Sequence, residues 1–252
     1  MITSSHPLYH ARLKSDRAKV HLSSLKSNIT KFKNDPRPLQ RIIEEDGQKR
    51  LHTQWPRPIP DSWGLILSDF ATNLRASLDY IAWQLASKHI RDTGKSRDPN
   101  GRTQFPICDS TESYRTQGRR RIDDILPCAI PEIERVQPYN RANWPETHLL
   151  SVLRELAGKT KHRFVIPPDS YVQLRAPASG MTAIMMPLNK PEVIVQTSGE
   201  RPTPYTSLNP DVSMQISFET PAISPSTHDI TVLEGIHQFV SKEIIPRFSR
   251  FF

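Results

Sequence analysis

The pattern of apolar and polar positions predicts a long helix at the start of the chain, over residues 8–32. Apolar or small residues recur there in steps of three and four, which is typical of a helix that packs on another helix. They are Leu8, Ala11, Ser15, Ala18, Leu22, Leu25, Ile29 and Phe32. The lysines of the segment fall outside this stripe, so one face is expected to be buried and the other to meet solvent.

A second stripe predicts a helix over about 62–90, which we expect to be the central and most buried helix. Its apolar positions include Ile66, Phe70, Leu74, Leu78, Ile81 and Leu85. Arg75 and Asp79 stand one turn apart in this apolar segment. An unpaired charge at the border of a core is strongly destabilising, so the two side chains are expected to pair. They form either a structural ion pair or part of a ligand or active site.

Further helices are expected in the rest of the chain. Short helices are predicted over 110–126, which carries the basic triplet Arg119, Arg120 and Arg121, and near 131–136. Asn143 followed by Glu146 is an N-cap pattern that predicts a helix over 144–158. Cations complement the exposed carbonyl groups at a helix end, and this end carries the cluster Lys159, Lys161, His162 and Arg163. A last helix is predicted over 229–245.

Two regions have strand patterns. Residues 39–55 are predicted to form two strands around Asp46 and Gly47, a pair that favours a tight hairpin turn. From 164 to 218 the chain carries several short β-prone runs. We therefore expect an α+β fold in which a helical bundle packs on a mostly antiparallel β-sheet, with the N-terminal hairpin joining the C-terminal strands. The helical region 1–163 and the β-rich region 164–252, with its C-terminal helix, are expected to form one integrated domain.

The charge of the chain is uneven and mostly basic. Residues 1–175 hold 29 Lys and Arg against 19 Asp and Glu, whereas residues 176–252 hold 5 against 7. A polyanion would therefore meet the first two-thirds of the chain, although a solvated basic surface explains the same excess. The sequence has no zinc-ligand spacing, phosphate-binding loop or membrane-length apolar stretch. We expect a cytoplasmic protein without a metal, a cofactor or a membrane contact.

Four short motifs follow one another along most of the chain. They are LRASLDY at 74–80, TQFPI at 103–107, QPY at 137–139 and KHR at 161–163. In this order they resemble the LRSALDH-like, TQFPI-like, QPY and DKHR-like segments of uncharacterised bacterial proteins of actinobacterial type. The LRSALDH form is in turn similar to the Arg-x4-His signature of HEPN-type helical domains. Many of these domains are metal-independent ribonucleases, or inactive relatives of them, in toxin and defence systems.

The resemblance implies a candidate catalytic site made up of Arg75, Asp79, Tyr80 and His162. Metal-free RNA cleavage needs a base whose pKa is near neutral and a cation that stabilises the phosphorane. Tyr80 stands where the signature has histidine, and tyrosine, whose ordinary pKa is about 10, is a poor base at neutral pH. His162 would take the role of the base if the fold brings it close to Arg75. The candidate binding residues are Lys159, Lys161, Arg163, Arg119, Arg120 and Arg121.

We therefore expect a catalytically degenerate HEPN-like protein that binds RNA or a protein partner in a bacterial stress or defence setting. The alternatives are an active ribonuclease that uses Arg75 with His162 or Tyr80, and a small-molecule binding protein with a pocket between bundle and sheet. HEPN-like proteins commonly dimerise, and the 8–32 stripe offers apolar surface, so a homodimer is expected.

Asp79 is expected to pair with Lys161 or Arg163.

Overall fold

The computed structural model describes residues 2–34, 39–45, 48–54, 60–162, 168–175, 184–187, 193–196, 211–218 and 230–252. The packing of side chains is described for residues 2–32, 60–158 and 230–252. In the other described segments the structure gives the course of the backbone. None of the helices in these ranges is long and apolar enough to cross a membrane.

Helices build the packed part of the chain. They are α1 (Tyr9–Asn34), α2 (Ser62–Asp92), α3 (Thr111–Ser113), α4 (Ile130–Arg135), α5 (Leu149–His162), α6 (Ile230–Gln238) and α7 (Ile245–Ser249). Two π-helical turns follow α3 and α6, at Tyr114–Gly118 and Phe239–Ile244. Single 3-10 turns lie at Arg119–Arg121, Pro127–Ala129, Pro138–Asn140 and Pro145–Thr147. The helices predicted over 8–32, 62–90 and 131–136 are confirmed.

α1 and α2 form an antiparallel pair at the centre of the core. Phe32 near the end of α1 packs edge-on against Trp63 at the start of α2, with ring centres 5.3 Å apart. Near the start of α1, the backbone carbonyl of Ala11 accepts a hydrogen bond of 2.7 Å from buried Ser77 Oγ. Because the two apolar stripes face each other, nearly all the residues that define them are buried.

α5 and the C-terminal helices complete this core. α5 packs against α2 and α6, and its stripe of leucines is buried. The chain passes through the π-helical turn just before Pro246, where a regular helix would press the proline ring against a carbonyl group one turn earlier. Phe248 then packs edge-on against Phe105, with ring centres 5.8 Å apart. The C-terminal segment is thereby anchored next to α2.

Six strands are described by their backbone. β1 (Leu39–Glu45) and β2 (Gln48–Gln54) pair in antiparallel fashion, and β2 pairs likewise with β5 (Val193–Gln196). β3 (Pro168–Arg175) lies between β4 (Ile184–Pro187) and β6 (Asp211–Phe218) and is antiparallel to both. The strands form two sheets of three, in the orders β1-β2-β5 and β4-β3-β6.

The expected α+β fold, with a bundle packed on one sheet, is wrong. Helix makes up 73% of the part of the chain whose packing is described, and that part contains no strand and no sheet. The strands that the backbone does form fall into two sheets instead of one. The last predicted helix, over 229–245, was expected to cover a sheet, but its first part, α6, packs against α1 and α5. Apolar alternation indicates that a segment can form a strand, but it does not indicate which layer covers that strand.

The predicted start of α5 is also wrong. Pro145 disfavours a helical conformation of the residue before it, and after it a 3-10 turn over Pro145–Thr147 and the extended backbone of His148 delay the start of the helix to Leu149. Trp144 instead adopts the left-handed conformation, with φ 56° and ψ 58°. His148 caps the helix, since its Nδ1 accepts a hydrogen bond of 3.1 Å from the backbone N–H of Leu150.

Some predictions concern residues that the structure does not describe. The expected hairpin turn at Asp46 and Gly47 lies outside the described residues, and so does the boundary at 163 and 164 between the helical and β-rich regions. The division into these two regions stays a prediction.

Candidate functional site

Arg75 and Asp79 hold the loop of residues 103–109, which we call the clamped loop. Arg75 Nη2 donates to Asp79 Oδ1 at 2.8 Å and to the backbone carbonyl of Phe105 at 2.6 Å. The backbone N–H of Phe105 donates to the same Asp79 oxygen at 3.0 Å. The three groups close a ring of hydrogen bonds that joins the middle of α2 to the loop.

Arg75 is a buried charge. The residue is 8% exposed, whereas the side chain of Asp79 is 28% exposed. Burial lowers the pKa of the Arg75 guanidinium, and the negative charge of Asp79 opposes this change. Asp79 therefore serves as the counter-ion that keeps the guanidinium charged in the core.

Gln137, just after α4, holds a second part of the clamped loop. Its Nε2 donates to the backbone carbonyls of Pro106 at 2.9 Å and Ile133 at 3.0 Å. Its Oε1 accepts a hydrogen bond of 3.0 Å from the backbone N–H of Cys108. The side chain is almost completely buried, so it pairs with the loop backbone much as a neighbouring strand would.

α5 holds the end of the clamped loop. Arg154 Nη1 donates to the backbone carbonyl of Ile107 at 3.2 Å, and Arg154 also forms an ion pair with Asp109. Asp109 accepts a further hydrogen bond from Ser151 Oγ. Contacts from α2, from the turn after α4 and from α5 thus fix successive residues of the loop.

Three of the four sequence motifs meet at this place. The motif at 74–80 supplies the Arg75–Asp79 pair, the motif at 103–107 is the loop, and the motif at 137–139 supplies Gln137. Lys161 and His162 of the fourth motif are the last residues of α5, whereas its Arg163 lies outside the described residues. The surroundings of its side chains lie outside the described residues, as do those of Lys159. The expected pairing of Asp79 with Lys161 or Arg163, and the expected role of His162, stay predictions.

Tyr80 lies on another face of α2 from Arg75. Their separation along the helix places them roughly 140° apart about its axis. Tyr80 is 36% exposed, and its ring centre lies 6.0 Å from that of His10 on α1. The structure therefore does not bring Arg75 and Tyr80 together in one site.

Arg119, the first residue of the basic triplet, borders a cleft beside the clamped loop. Arg119 Nη1 lies 3.6 Å from Glu134 Oε1 across this cleft. Arg120 is exposed, whereas Arg121 is half-buried and its backbone carbonyl accepts a hydrogen bond from the N–H of Gln104. The cleft has a volume of about 350 Å³ and is lined by Thr111, Tyr114, Arg115, Arg119, Glu134 and Tyr139.

Tyr114 places a buried hydroxyl group at this cleft. The residue is 4% exposed, and its hydroxyl makes no hydrogen bond within the described part of the chain. Burial is the main reason that the pKa of Tyr114 is raised, and the charge of Glu134 raises it further, whereas Arg119 lowers it through its charge and through a side-chain interaction with the hydroxyl. A buried polar group without a partner costs about 1–3 kcal/mol. The buried Tyr114 hydroxyl therefore has unused hydrogen-bonding capacity beside the cleft.

Two neighbours fix the ring of Tyr114. The ring of Tyr139 meets it edge to face, with centres 5.6 Å apart. A Cβ atom at Gly118 would lie 2.9 Å from Tyr114 Cδ2 and 3.2 Å from Cys108 Sγ, so the absence of a side chain at position 118 makes room for the ring. The sequence analysis named Arg119 of this cleft as a candidate binding residue but missed Tyr114, Glu134 and Tyr139, although the QPY motif contains Tyr139.

A second charged cluster joins α4 to the C-terminal helix. The carboxylate of Glu132 is 7% exposed and is paired with Arg135 at 2.9 Å, Arg247 at 2.8 Å and Arg250 at 2.7 Å. The hydrogen bond from Arg247 is the main cause that lowers the pKa of Glu132. Elsewhere in the described ranges, no three His, Cys, Asp or Glu side chains converge as a metal site would require.

A scan against protein-family models, a search of curated proteins and a search of solved structures each find no match to this chain. The resemblance to bacterial and HEPN-like proteins consequently stays a prediction.

Proposed function

We propose that the protein binds single-stranded RNA and does not cleave it, as a catalytically degenerate HEPN-like protein would. The observation that carries this proposal is the meeting of exposed arginines with tyrosine rings at one cleft. Arg115, Arg119 and Arg120 are exposed along a single short segment, and Tyr139 lies at the same cleft as the first two. Cationic groups beside aromatic rings are the usual elements of a site for single-stranded nucleic acid.

The geometry of the segment supports contacts to a flexible strand. The π-helical turn 114–118 is followed by a 3-10 turn, so successive arginines project at different angles. Arg119 faces the cleft and Arg120 faces solvent. A single strand carries its phosphates along an irregular path, and arginines that diverge from one short segment are suited to follow it.

The arrangement of Arg75 argues against catalysis. Its guanidinium is buried and donates to Asp79 and to the carbonyl of Phe105. The cation that would stabilise a phosphorane is thus engaged in holding the clamped loop. Of the two bases expected beside it, Tyr80 lies on a different face of α2, and the surroundings of the His162 side chain lie outside the described residues.

Binding is tested with a fluorescently labelled single-stranded RNA in EDTA, followed by anisotropy at several salt concentrations. The double variant Arg119→Ala, Arg120→Ala should bind about tenfold more weakly at 0.15 M salt, because two phosphate contacts are lost. The slope of log affinity against log salt should fall in magnitude by about 1.4.

The matched control is Arg17→Ala, Lys19→Ala, which removes the same charge from exposed positions on α1. An equal loss of affinity in both double variants would show that RNA binding depends on net charge alone, and it would overturn the proposal. The same samples are run on a denaturing gel after incubation. RNA cleavage that disappears in Tyr80→Phe or His162→Gln would refute the non-enzymatic function and favour the ribonuclease.

A further inference from the structure

The cleft beside the clamped loop has the size of a small ligand site. Its volume of about 350 Å³ lies at the lower end of the range of about 300–1,000 Å³ that is common for such sites. It lies in the helical part of the protein, and its walls come from the segment after α3, from α4 and from the turn that contains Tyr139.

The lining of the cleft offers three different kinds of contact. Arg115 and Arg119 are cations at its rim, Glu134 is a carboxylate that accepts hydrogen bonds, and Tyr139 is a partly exposed aromatic ring. The Tyr114 hydroxyl adds a buried group with no partner within the described ranges. A small molecule that makes all of these contacts carries a negative charge for the arginines, N–H donors for Glu134 and an aromatic ring that packs on Tyr139.

We infer that the cleft holds one nucleotide, with the base against Tyr139 and the phosphate on Arg115 and Arg119. This inference depends on the proposed RNA-binding function, for which it names the site of base recognition. The base is bound by stacking and by hydrogen bonds to its edge, as is usual in single-stranded recognition. The Tyr114 hydroxyl is buried beside the cleft, and it gains a partner when the base displaces the side chains that cover it.

Glu134 gives the site a preference among bases. A carboxylate accepts hydrogen bonds and donates none, so it favours a base edge with an exocyclic amino group. Cytosine has such a group on its pairing edge, whereas uracil has a carbonyl oxygen in the same position. We therefore expect an oligomer of eight cytidines, C8, to bind more tightly than the corresponding U8.

The experiment measures the affinities of C8, U8 and free CMP for the wild type and two variants. Tyr114→Phe removes one hydroxyl and no hydrogen bond within the described part, so its thermal midpoint should not fall below that of the wild type. Its affinity for C8 should fall about fivefold through loss of one hydrogen bond. Tyr9→Phe on α1 is the matched control and should bind as the wild type does.

Glu134→Gln tests the base preference separately. The variant keeps the shape of the side chain and frees Arg119 from its carboxylate partner, so C8 and U8 should both bind at least as tightly as before. The ratio of the C8 and U8 affinities should fall towards one. An unchanged ratio would contradict the contact between Glu134 and the base.

The outcomes separate the two proposals. If RNA binding depends on Arg119 and Arg120 but Tyr114→Phe binds C8 within twofold of the wild type, the nucleotide site is refuted and the RNA-binding function stands. If the wild type binds neither oligomer nor CMP, both are refuted. If CMP binds as tightly as C8 and Tyr114→Phe weakens both, the cleft binds a free nucleotide, and both the RNA-binding function and the site of base recognition within RNA are refuted.

Discussion

The contribution of the Arg75–Asp79 ion pair to stability depends on the surroundings of Arg75. An Arg–Asp pair one turn apart on an exposed helix contributes only a few tenths of a kcal/mol. Here the guanidinium is buried, and both partners also bond to the backbone of Phe105. The pair therefore supports a loop in addition to the helix that carries it.

Asp79→Ala should lower the free energy of unfolding by about 3 kcal/mol, because it leaves a buried guanidinium without its counter-ion and the N–H of Phe105 without its acceptor. Chemical denaturation at pH 7 measures this change. The matched control is Asp16→Ala, which removes the exposed partner of Arg12, also one turn away at 3.8 Å. The control should change stability by less than about 0.5 kcal/mol.

An Asp79→Ala variant as stable as the wild type would refute the structural role of the pair. The Arg75 and Asp79 side chains would then become the leading candidates for a binding or catalytic site, because functional polar groups often oppose stability.

At the scale of elements, the π-helical turn 114–118 shapes the cleft. Gly118 adopts helical dihedral angles, with φ −61° and ψ −46°, so it is not needed for an unusual backbone conformation. Its role is steric, since the ring of Tyr114 and the sulfur of Cys108 occupy the space of a side chain. Gly158 in α5 is the opposite case, because a Cβ atom there would meet nothing within 4 Å.

Gly118→Ala should destabilise the protein by about 1–3 kcal/mol through overpacking against Tyr114. Gly158→Ala should stabilise it by about 0.5–1 kcal/mol, because alanine loses less conformational freedom in a helix. Denaturant unfolding of both variants measures whether each substitution raises or lowers the free energy of unfolding. A stabilising Gly118→Ala would mean that Tyr114 moves freely, which would contradict a preformed cleft.

At the scale of the whole molecule, Glu132 links α4 to the end of the chain. One buried carboxylate is paired with Arg247 and Arg250 from the C-terminal segment as well as with Arg135. The apolar stripe of α1 is likewise buried within the molecule, because α2 and α6 pack against it. The surface from which a homodimer is expected is thus largely occupied, and the homodimer stays a prediction.

The Glu132 cluster predicts a dependence of stability on pH. Because the hydrogen bonds to arginine lower the pKa of Glu132 in the folded state, its contribution is complete above the ordinary pKa of a glutamate. It is lost as the pH falls through the lowered value. Glu132→Gln should be less stable at pH 7 by about 1–3 kcal/mol and should lose less stability on acidification.

Urea midpoints measured between pH 3 and pH 7 test this dependence. Asp123→Asn, at an exposed position, is the control and should follow the pH profile of the wild type. Parallel profiles for Glu132→Gln and the wild type would show that another group causes the acid sensitivity.

The sequence by itself determined the two long helices and the pairing within one of them. The stripes of α1 and α2 follow a spacing of 3.6 residues, and Arg75 and Asp79 face each other one turn apart. These features depend on residues close together in the chain, so local periodicity is sufficient to predict them. The same local reasoning predicts the wrong start for α5, because the N-cap pattern at Asn143 and Glu146 conflicts with the restriction that Pro145 places on Trp144.

Only the tertiary structure decided what these elements build. The ring of Arg75, Asp79 and Phe105 joins residues 30 positions apart, and Glu132 meets Arg247 across 115 positions. The Tyr114 cleft likewise requires Gly118 to make room and Tyr139 to arrive from another segment. The class of the packed core, which is helical rather than α+β, depends on which apolar faces meet. No local pattern contains such information, because long-range contacts are set by the mutual burial of surfaces that are far apart in sequence.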